Sequence, residues 1–190
     1  MPYTTGVAGA VFSGQGASLI DGLLGKKNPV DIADVLPLVL EDAPSKVGAF
    51  HPVLALLQNG LDADDPLNHG ALFAKPTGAA NQKHVFQPYG QGDTYAPIVT
   101  QQTFAIVARL AEAAAPSGVT GDALGVGTPL PVPAGGNAMV NGSAMTAIVR
   151  QYAPGNYDGH FVVYQNASAS ADVDHFLADA LSGKVPMVGR

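Results

Sequence analysis

Two residues of the chain have the chemical types and the local setting of an acid–base pair. Asp93 lies in the segment GQGDTYAP, residues 90–97, and His160 lies in DGHF, residues 158–161. A carboxylate beside an imidazole accepts the hydrogen bond of Nδ1–H, fixes the tautomer and stabilises the protonated ring. The other ring nitrogen can then take a proton from a hydroxyl nucleophile. We therefore predict that Asp93 and His160 are catalytic residues.

The elements needed to bring the two residues together are also predicted by the sequence. Apolar runs that end near glycine or other turn residues, at 7–12, 83–89 and 144–152, are typical of buried parallel strands. Asp93 follows the second run and His160 the third. Because the loops after the C-terminal ends of parallel strands converge on one crevice, both side chains are expected at the same edge of the sheet.

Between these strands the sequence predicts helices, so the chain is expected to be one α/β domain with a parallel sheet. Three strands make an incomplete sheet for 190 residues, and an open edge is therefore expected. Residues 116–143 are rich in glycine and proline and are predicted to be irregular, with a short hairpin at Asn141-Gly142. The helices are predicted at about 18–24, 31–40, 51–61, 97–115 and 171–181.

The ordered combination of these segments resembles the C-terminal half of an α/β-hydrolase. In that family the nucleophile, the acid and the histidine follow one another along the chain. GQGDTYAP and GHF resemble the acid and histidine loops, and residues 7–16 resemble the strand just after the nucleophile. The resemblance implies a partial α/β-hydrolase sheet with a helical cap at about 19–75. The whole chain, 1–190, would be the C-terminal part of one hydrolase domain.

The nucleophile of that family has no match in this sequence. A nucleophile elbow requires Gly-x-Ser-x-Gly, because its strained turn tolerates little side chain around the serine. None of the eight serines has both glycines; Ser18 has Gly16 before it but Ile20 after it. The resemblance therefore implies an esterase- or lipase-like carboxylic ester hydrolase that is inactive alone. A partner chain that supplies the N-terminal half would complete it.

An apolar ester is the substrate that this resemblance implies. Tyr95, two residues after Asp93, is predicted to shape the substrate pocket. His51 is a second candidate for that pocket, although its place before Pro52 also favours a helix cap. The apolar segments 31–40 and 51–61 suit either core packing or a cap whose inner face binds an acyl chain.

A structural role is open for each of the two central residues. Asp93 also suits a turn or a helix cap, and His160 also suits a histidine bonded to backbone. The alternative for the chain is a non-catalytic α/β binding or structural module that pairs with another chain. Only the hydrolase requires a hydrogen bond between Asp93 and His160.

The composition and motifs of the chain argue against several classes of cofactor and partner. Nine Lys and Arg against a net charge of −6 argue against nucleic-acid binding. No apolar run reaches the roughly 18–20 residues of a membrane span. The chain has no cysteine for a thiolate metal site, the acidic run at 62–65 fails the EF-hand pattern, and neither Gly-x-Gly segment has the third glycine of a dinucleotide site. We therefore expect no metal and no cofactor.

Overall fold

A four-stranded parallel sheet forms the centre of the protein. The computed structural model describes residues 3–74 and 82–190. In these residues the strands are β1 (Gly9–Val11), β2 (His84–Gly90), β3 (Ala111–Ala113), β4 (Ala138–Val140), β5 (Ser143–Met145) and β6 (Ala147–Tyr152). The sheet has the order β1-β2-β6-β3, whereas β4 and β5 form a separate antiparallel hairpin. The predicted α/β fold with a parallel sheet is thus confirmed.

The helices fill the connections between the strands. Between β1 and β2 lies a segment that we call the helical insertion, residues 19–74; the predicted end of the cap, at about 75, falls outside the described residues. Helix α6 follows β2, and α7 and α8 follow β6. The helices are α1 (Leu19–Gly25), α2 (Ile32–Leu40), α3 (Pro52–Leu61), α4 (Pro66–His69), α5 (Ala71–Ala74), α6 (Ile98–Val107), α7 (Val162–Gln165) and α8 (Ala167–Leu181).

Strands β2 and β6 are buried along nearly their whole length, because helices cover both faces of the sheet. On one face Val85 and Val149 pack in a cluster with Phe104 of α6. On the other face Phe86 packs against Phe176 of α8, with ring centroids 5.5 Å apart. Successive strand residues alternate between these two layers, as a pleated strand requires.

Strand β3 corrects the sequence-based prediction of one helix over 97–115. Helix α6 ends at Val107, and Arg109 adopts a left-handed conformation with a φ of 56°. Residues 111–113 then pair in parallel with β6. Alanine and glutamate are strong helix formers, so local propensity favours a helix where pairing with β6 imposes a strand. The sheet consequently has four strands instead of three.

The predicted turn at Asn141-Gly142 is confirmed. Asn141 has a φ of 51° and Gly142 a φ of 79°, and a two-residue type I′ turn requires positive φ at both positions. The single strand predicted over 144–152 is divided in two. Its first residues belong to β5 of the hairpin, and the remainder forms β6 in the centre of the sheet.

Candidate functional site

Asp93 lies three residues beyond the C-terminal end of β2, in the loop that leads into α6. Its Oδ1 accepts hydrogen bonds from the backbone N–H groups of Tyr95 at 2.9 Å and Ala96 at 2.8 Å. Its Oδ2 accepts one from the Gln101 side chain at 2.9 Å. The carboxylate is buried, and these donors fix its orientation.

His160 lies in the loop after β6, inside a single 3-10 turn at Gly159–Phe161. Asp158 caps this turn, since its Oδ1 accepts from the backbone N–H of His160 at 2.9 Å. The same carboxylate accepts from the N–H of Thr94 at 3.2 Å and from its hydroxyl at 2.5 Å. Burial opposes the ionisation of Asp158, but the hydrogen bonds from Thr94 and His160 outweigh it and lower its pKa below 3.8. Asp158 therefore ties the His160 loop to the Asp93 loop.

The structure brings Asp93 and His160 into hydrogen-bonding contact. Nδ1 of His160 lies 3.1 Å from Oδ2 of Asp93. Because an ionised carboxylate only accepts, the proton of a neutral ring belongs on Nδ1, and Nε2 is left with its lone pair. No described residue hydrogen-bonds Nε2. The His160 side chain is 33% exposed and that of Asp93 1%, so the imidazole faces outward from a buried carboxylate.

Two glycines allow the loops to approach so closely. A Cβ on Gly90 would lie 1.8 Å from the carbonyl oxygen of Gly159, and a Cβ on Gly159 would lie 2.2 Å from the carbonyl oxygen of Gln91. Neither position has room for a side chain. The backbones of the two loops therefore touch directly, and this contact sets the distance between Asp93 and His160.

Aromatic rings and a third loop surround the imidazole. Tyr95 stacks on His160 with ring centroids 5.0 Å apart and an interplanar angle of 27°, and Phe161 meets both rings edge-on. Gly14, in the loop after β1, lies so near that a Cβ there would stand 2.7 Å from Cε1 of His160. The loops after β1, β2 and β6 thus meet at this one ring.

A cavity of about 360 Å³ adjoins Tyr95. Its walls come from the loop after β1, from the helical insertion and from the start of α6. Leu19, Leu23, Leu61 and Pro97 give it a mainly apolar lining. Its volume lies within the range of small-molecule sites.

His51, the other residue predicted to bind substrate, lies apart from this arrangement. Its Nδ1 accepts from the N–H of Val53 at 3.3 Å, which makes it the cap of α3. Its Nε2 faces Asp42 at 3.6 Å, and it borders a different cavity, of about 600 Å³. His51 shares no hydrogen bond, ring contact or cavity with Asp93, Tyr95 or His160 in the described residues.

Three residues that contact the pair escaped the sequence analysis. Asp158 carries a usable signal, since an aspartate two residues before His160 is typical of a turn cap. Gly14 lies in residues 7–16, where the sequence predicted only a strand that ends near glycine. Gln101 gives no signal, because its contact with Asp93 depends on how α6 packs against the sheet.

The fold and the site together define an α/β protein with a carboxylate–histidine pair at the C-terminal edge of a parallel sheet. Comparison with protein-family models, curated proteins and solved structures gave no match. In the described part of the chain no helix is long and apolar enough to cross a membrane. Within residues 3–74 and 82–190, no three His, Asp or Glu side chains group closely enough to hold a metal ion.

Proposed function

We propose that the chain provides the histidine and the carboxylate of a serine-dependent carboxylic ester hydrolase of the α/β-hydrolase type. The observation that carries this proposal is the 3.1 Å contact from His160 Nδ1 to Asp93 Oδ2, which leaves Nε2 without a described partner. A pair arranged in this way serves as base and orienting acid in serine hydrolases. A non-catalytic module requires no such contact.

The topology supports the proposal. β1, β2 and β6 lie side by side and parallel, and the acid and the histidine follow two neighbouring strands at the same edge. This is the chain order of the two residues in α/β-hydrolases. The helical insertion between β1 and β2 would then be the cap, and the cavity beside Tyr95 would receive the apolar part of the ester.

The proposed reaction divides ester hydrolysis into two stages, acylation and deacylation, and in each stage His160 first accepts a proton and then donates it. Nε2 accepts the proton of a serine hydroxyl while its oxygen bonds to the ester carbon, and the protonated ring then gives this proton to the departing alcohol. Water repeats the sequence on the acyl-enzyme and releases the acid. Asp93 keeps the ring oriented and stabilises its positive charge.

The serine and the oxyanion-binding groups would come from another polypeptide segment, which would also extend the sheet. β1 is the edge strand beside β2. Its even-numbered residues bond to β2, as shown by Phe12 N–H to Phe86 O at 2.8 Å. The N–H and C=O groups of Gly9 and Val11 consequently point the other way, where no described strand pairs with them. A further parallel strand would satisfy these groups and bring its own C-terminal loop to the site.

The test is hydrolysis of p-nitrophenyl butyrate and octanoate by two preparations. The isolated 190 residues should show no turnover above the rate without protein. The polypeptide or complex that contains them in the native host, purified through a tag, should hydrolyse both esters. His160→Ala should lower kcat/KM about a thousandfold or more, because it removes the base.

His175→Ala serves as the matched control. His175 lies on the exposed side of α8 and should be replaceable without loss of turnover. Native material that hydrolyses neither ester, or that keeps its rate in His160→Ala, would contradict the proposal. His160-dependent turnover by the isolated chain would place the nucleophile within these residues instead.

A further inference from the structure

Gln101 is a buried residue of α6 that shares one oxygen atom with the histidine. Its Nε2 donates to Oδ2 of Asp93 at 2.9 Å, and Nδ1 of His160 reaches the same Oδ2 at 3.1 Å. Gln101 and His160 are the only side chains among the described residues that hydrogen-bond the Asp93 carboxylate. Two different elements thus approach one carboxylate oxygen.

The orientation of the Gln101 amide is determined by its surroundings. Nε2 donates to the carbonyl oxygen of Ala96 at 2.9 Å as well as to Asp93, so both of its hydrogens face acceptors. A rotated amide would set Oε1 against the same two acceptors, which repel it. In the observed orientation Oε1 is buried and has no partner in the described part of the chain. Nε2 of Gln101 therefore makes both of its hydrogen bonds, although Oε1 is then buried without a hydrogen-bond partner among the described residues.

The Asp93 carboxylate receives four hydrogen bonds, two on each oxygen. The two on Oδ1 come from the backbone of its own loop, and they leave Oδ2 directed at His160 and Gln101. An ionised carboxylate has about four acceptor sites, and all of them are filled here. Without Gln101, the hydrogen bond with His160 would be the only one left on Oδ2 among the described residues. A small rotation of the carboxylate would then break it.

We propose that Gln101 is a positioning residue that holds Oδ2 of Asp93 against Nδ1 of His160 and thereby keeps the histidine proton on Nδ1. The inference rests on the proposed function, in which the unprotonated Nε2 is the base. Both hydrogen bonds of the Gln101 side chain go to Asp93 and Ala96, and neither goes to the imidazole. It acts only through the orientation of Asp93.

The experiment is ¹⁵N NMR of the histidine rings in the isolated chain, labelled with ¹⁵N-histidine, with His160→Asn to assign the resonances. In the wild-type protein the neutral His160 should carry its proton on Nδ1. In Gln101→Met, which removes the donor but keeps the length of the side chain, the Nδ1–H form should fall to about half of the neutral population or less. A loss of stability that leaves Oδ2 of Asp93 opposite Nδ1 of His160 would not change the tautomer.

Gln102→Met is the matched control, because Gln102 lies in the same helix and donates to Ala123 O at 3.2 Å instead of to Asp93. It should leave the His160 tautomer unchanged. If Gln101→Met does not fold, Gln101→Asn carries the same test, since its amide is one carbon too short to reach Asp93.

A folded Gln101 variant that keeps the wild-type tautomer would overturn the inference, and so would an equal change in Gln102→Met. The readout requires no ester turnover. The positioning role can therefore fail while the native material remains a hydrolase. It can equally survive if no ester is hydrolysed.

Discussion

Gly90 and Gly159 determine how closely the Asp93 and His160 loops approach. Gly90→Ala would place a methyl group 1.8 Å from the Gly159 carbonyl oxygen. Because this oxygen belongs to the backbone, it cannot move away as the end of a flexible side chain could. We expect this substitution to destabilise the protein by about 1–3 kcal/mol, the usual range for overpacking. It should also disturb the His160 tautomer. Urea unfolding and ring ¹⁵N spectra measure the two effects.

Gly60→Ala is the control for this prediction. Gly60 lies within α3, and a Cβ there would meet nothing within 4 Å. Because alanine is the better helix former, the control should be stabilised by roughly 0.5–1 kcal/mol. If Gly90→Ala were as stable as the wild-type protein, this would contradict the direct backbone contact between the two loops.

The place of Asp93 and His160 at one edge of the sheet could be predicted from the sequence, whereas the contacts that support the two side chains could not. Each of the two residues follows a predicted strand and comes directly after a glycine. This local pattern was sufficient to predict their place at the edge of the sheet. The contact of Gln101 with Asp93 depends on the packing of α6, which no local pattern encodes. His51 shows the opposite case, since a histidine before a proline suits both a pocket and a cap, and the structure places it as a cap.

Strand β6 and helix α8 are joined by a buried ion pair. Arg150 of β6 bonds to Oδ2 of Asp172 of α8, and Tyr152 donates its hydroxyl to the same oxygen at 2.5 Å. Burial, with the Asp172 charge nearby, raises the pKa of Tyr152 well above its ordinary value, so the phenol stays protonated as a donor. The pair holds α8 against the strand that leads to His160.

Asp172→Ala should therefore destabilise the protein by about 3–5 kcal/mol, because it leaves the buried Arg150 charge with the Ala114 carbonyl but without its carboxylate partner. The double variant Arg150→Met, Asp172→Leu should be more stable than the single one. Lys46→Met, at an exposed ion pair, is the control and should change little. Thermal and urea unfolding measure all three. If Asp172→Ala were as stable as Lys46→Met, the role given to the Arg150–Asp172 pair would be contradicted.

Asp65 joins two helices of the helical insertion. Its side chain accepts from the N–H groups of Ser18 at 3.0 Å and Leu19 at 2.8 Å, before and at the start of α1, and from that of Leu67 in α4 at 2.9 Å. Burial opposes its ionisation, but the hydrogen bonds from Leu67, Gln58, Leu19 and Ser18 prevail and lower its pKa below 3.8. Asp158, at the site, has a lowered pKa for the same kind of reason.

These two lowered pKa values predict a loss of stability in acid. A carboxyl whose folded pKa lies below its unfolded value contributes stability above the unfolded value, and that contribution is lost as the pH falls through the folded one. The free energy of unfolding should therefore decline as the pH falls below about 4. Asp65→Asn should show a shallower decline, measured by urea unfolding across this range. An equally steep decline in the variant would show that protonation of Asp65 does not contribute to the loss of stability in acid.

At the scale of the whole molecule, the α/β architecture could be predicted from the alternation of apolar runs, but the extent of the sheet could not. The segment LAEAAA, residues 110–115, has the composition of a helix, and pairing with β6 on one side and with Leu130 on the other makes part of it a strand. No glycine marks the end of α6, where Arg109 takes the left-handed conformation instead. Both misses arise where tertiary pairing overrides local preference.

Among the described residues no strand pairs with the outer side of β1 and no group hydrogen-bonds Nε2 of His160, and the proposed function gives both observations the same explanation. The sheet edge and the histidine would both be completed by a polypeptide segment that adds a strand beside β1 and a serine beside His160. The apolar cavity at Tyr95 adjoins this region from the side of the helical insertion. Proton transfer, substrate binding and assembly would then share one edge of the sheet.

The most direct test of this account is labelling of the native polypeptide or complex by a fluorophosphonate, a reagent that bonds to activated serines, followed by mass spectrometry of the labelled peptide. We expect a single labelled serine outside these 190 residues, with a labelling rate that falls about a thousandfold in His160→Ala. The absence of labelling, or labelling at an unchanged rate in His160→Ala, would contradict the assignment of His160 as the base of a serine hydrolase.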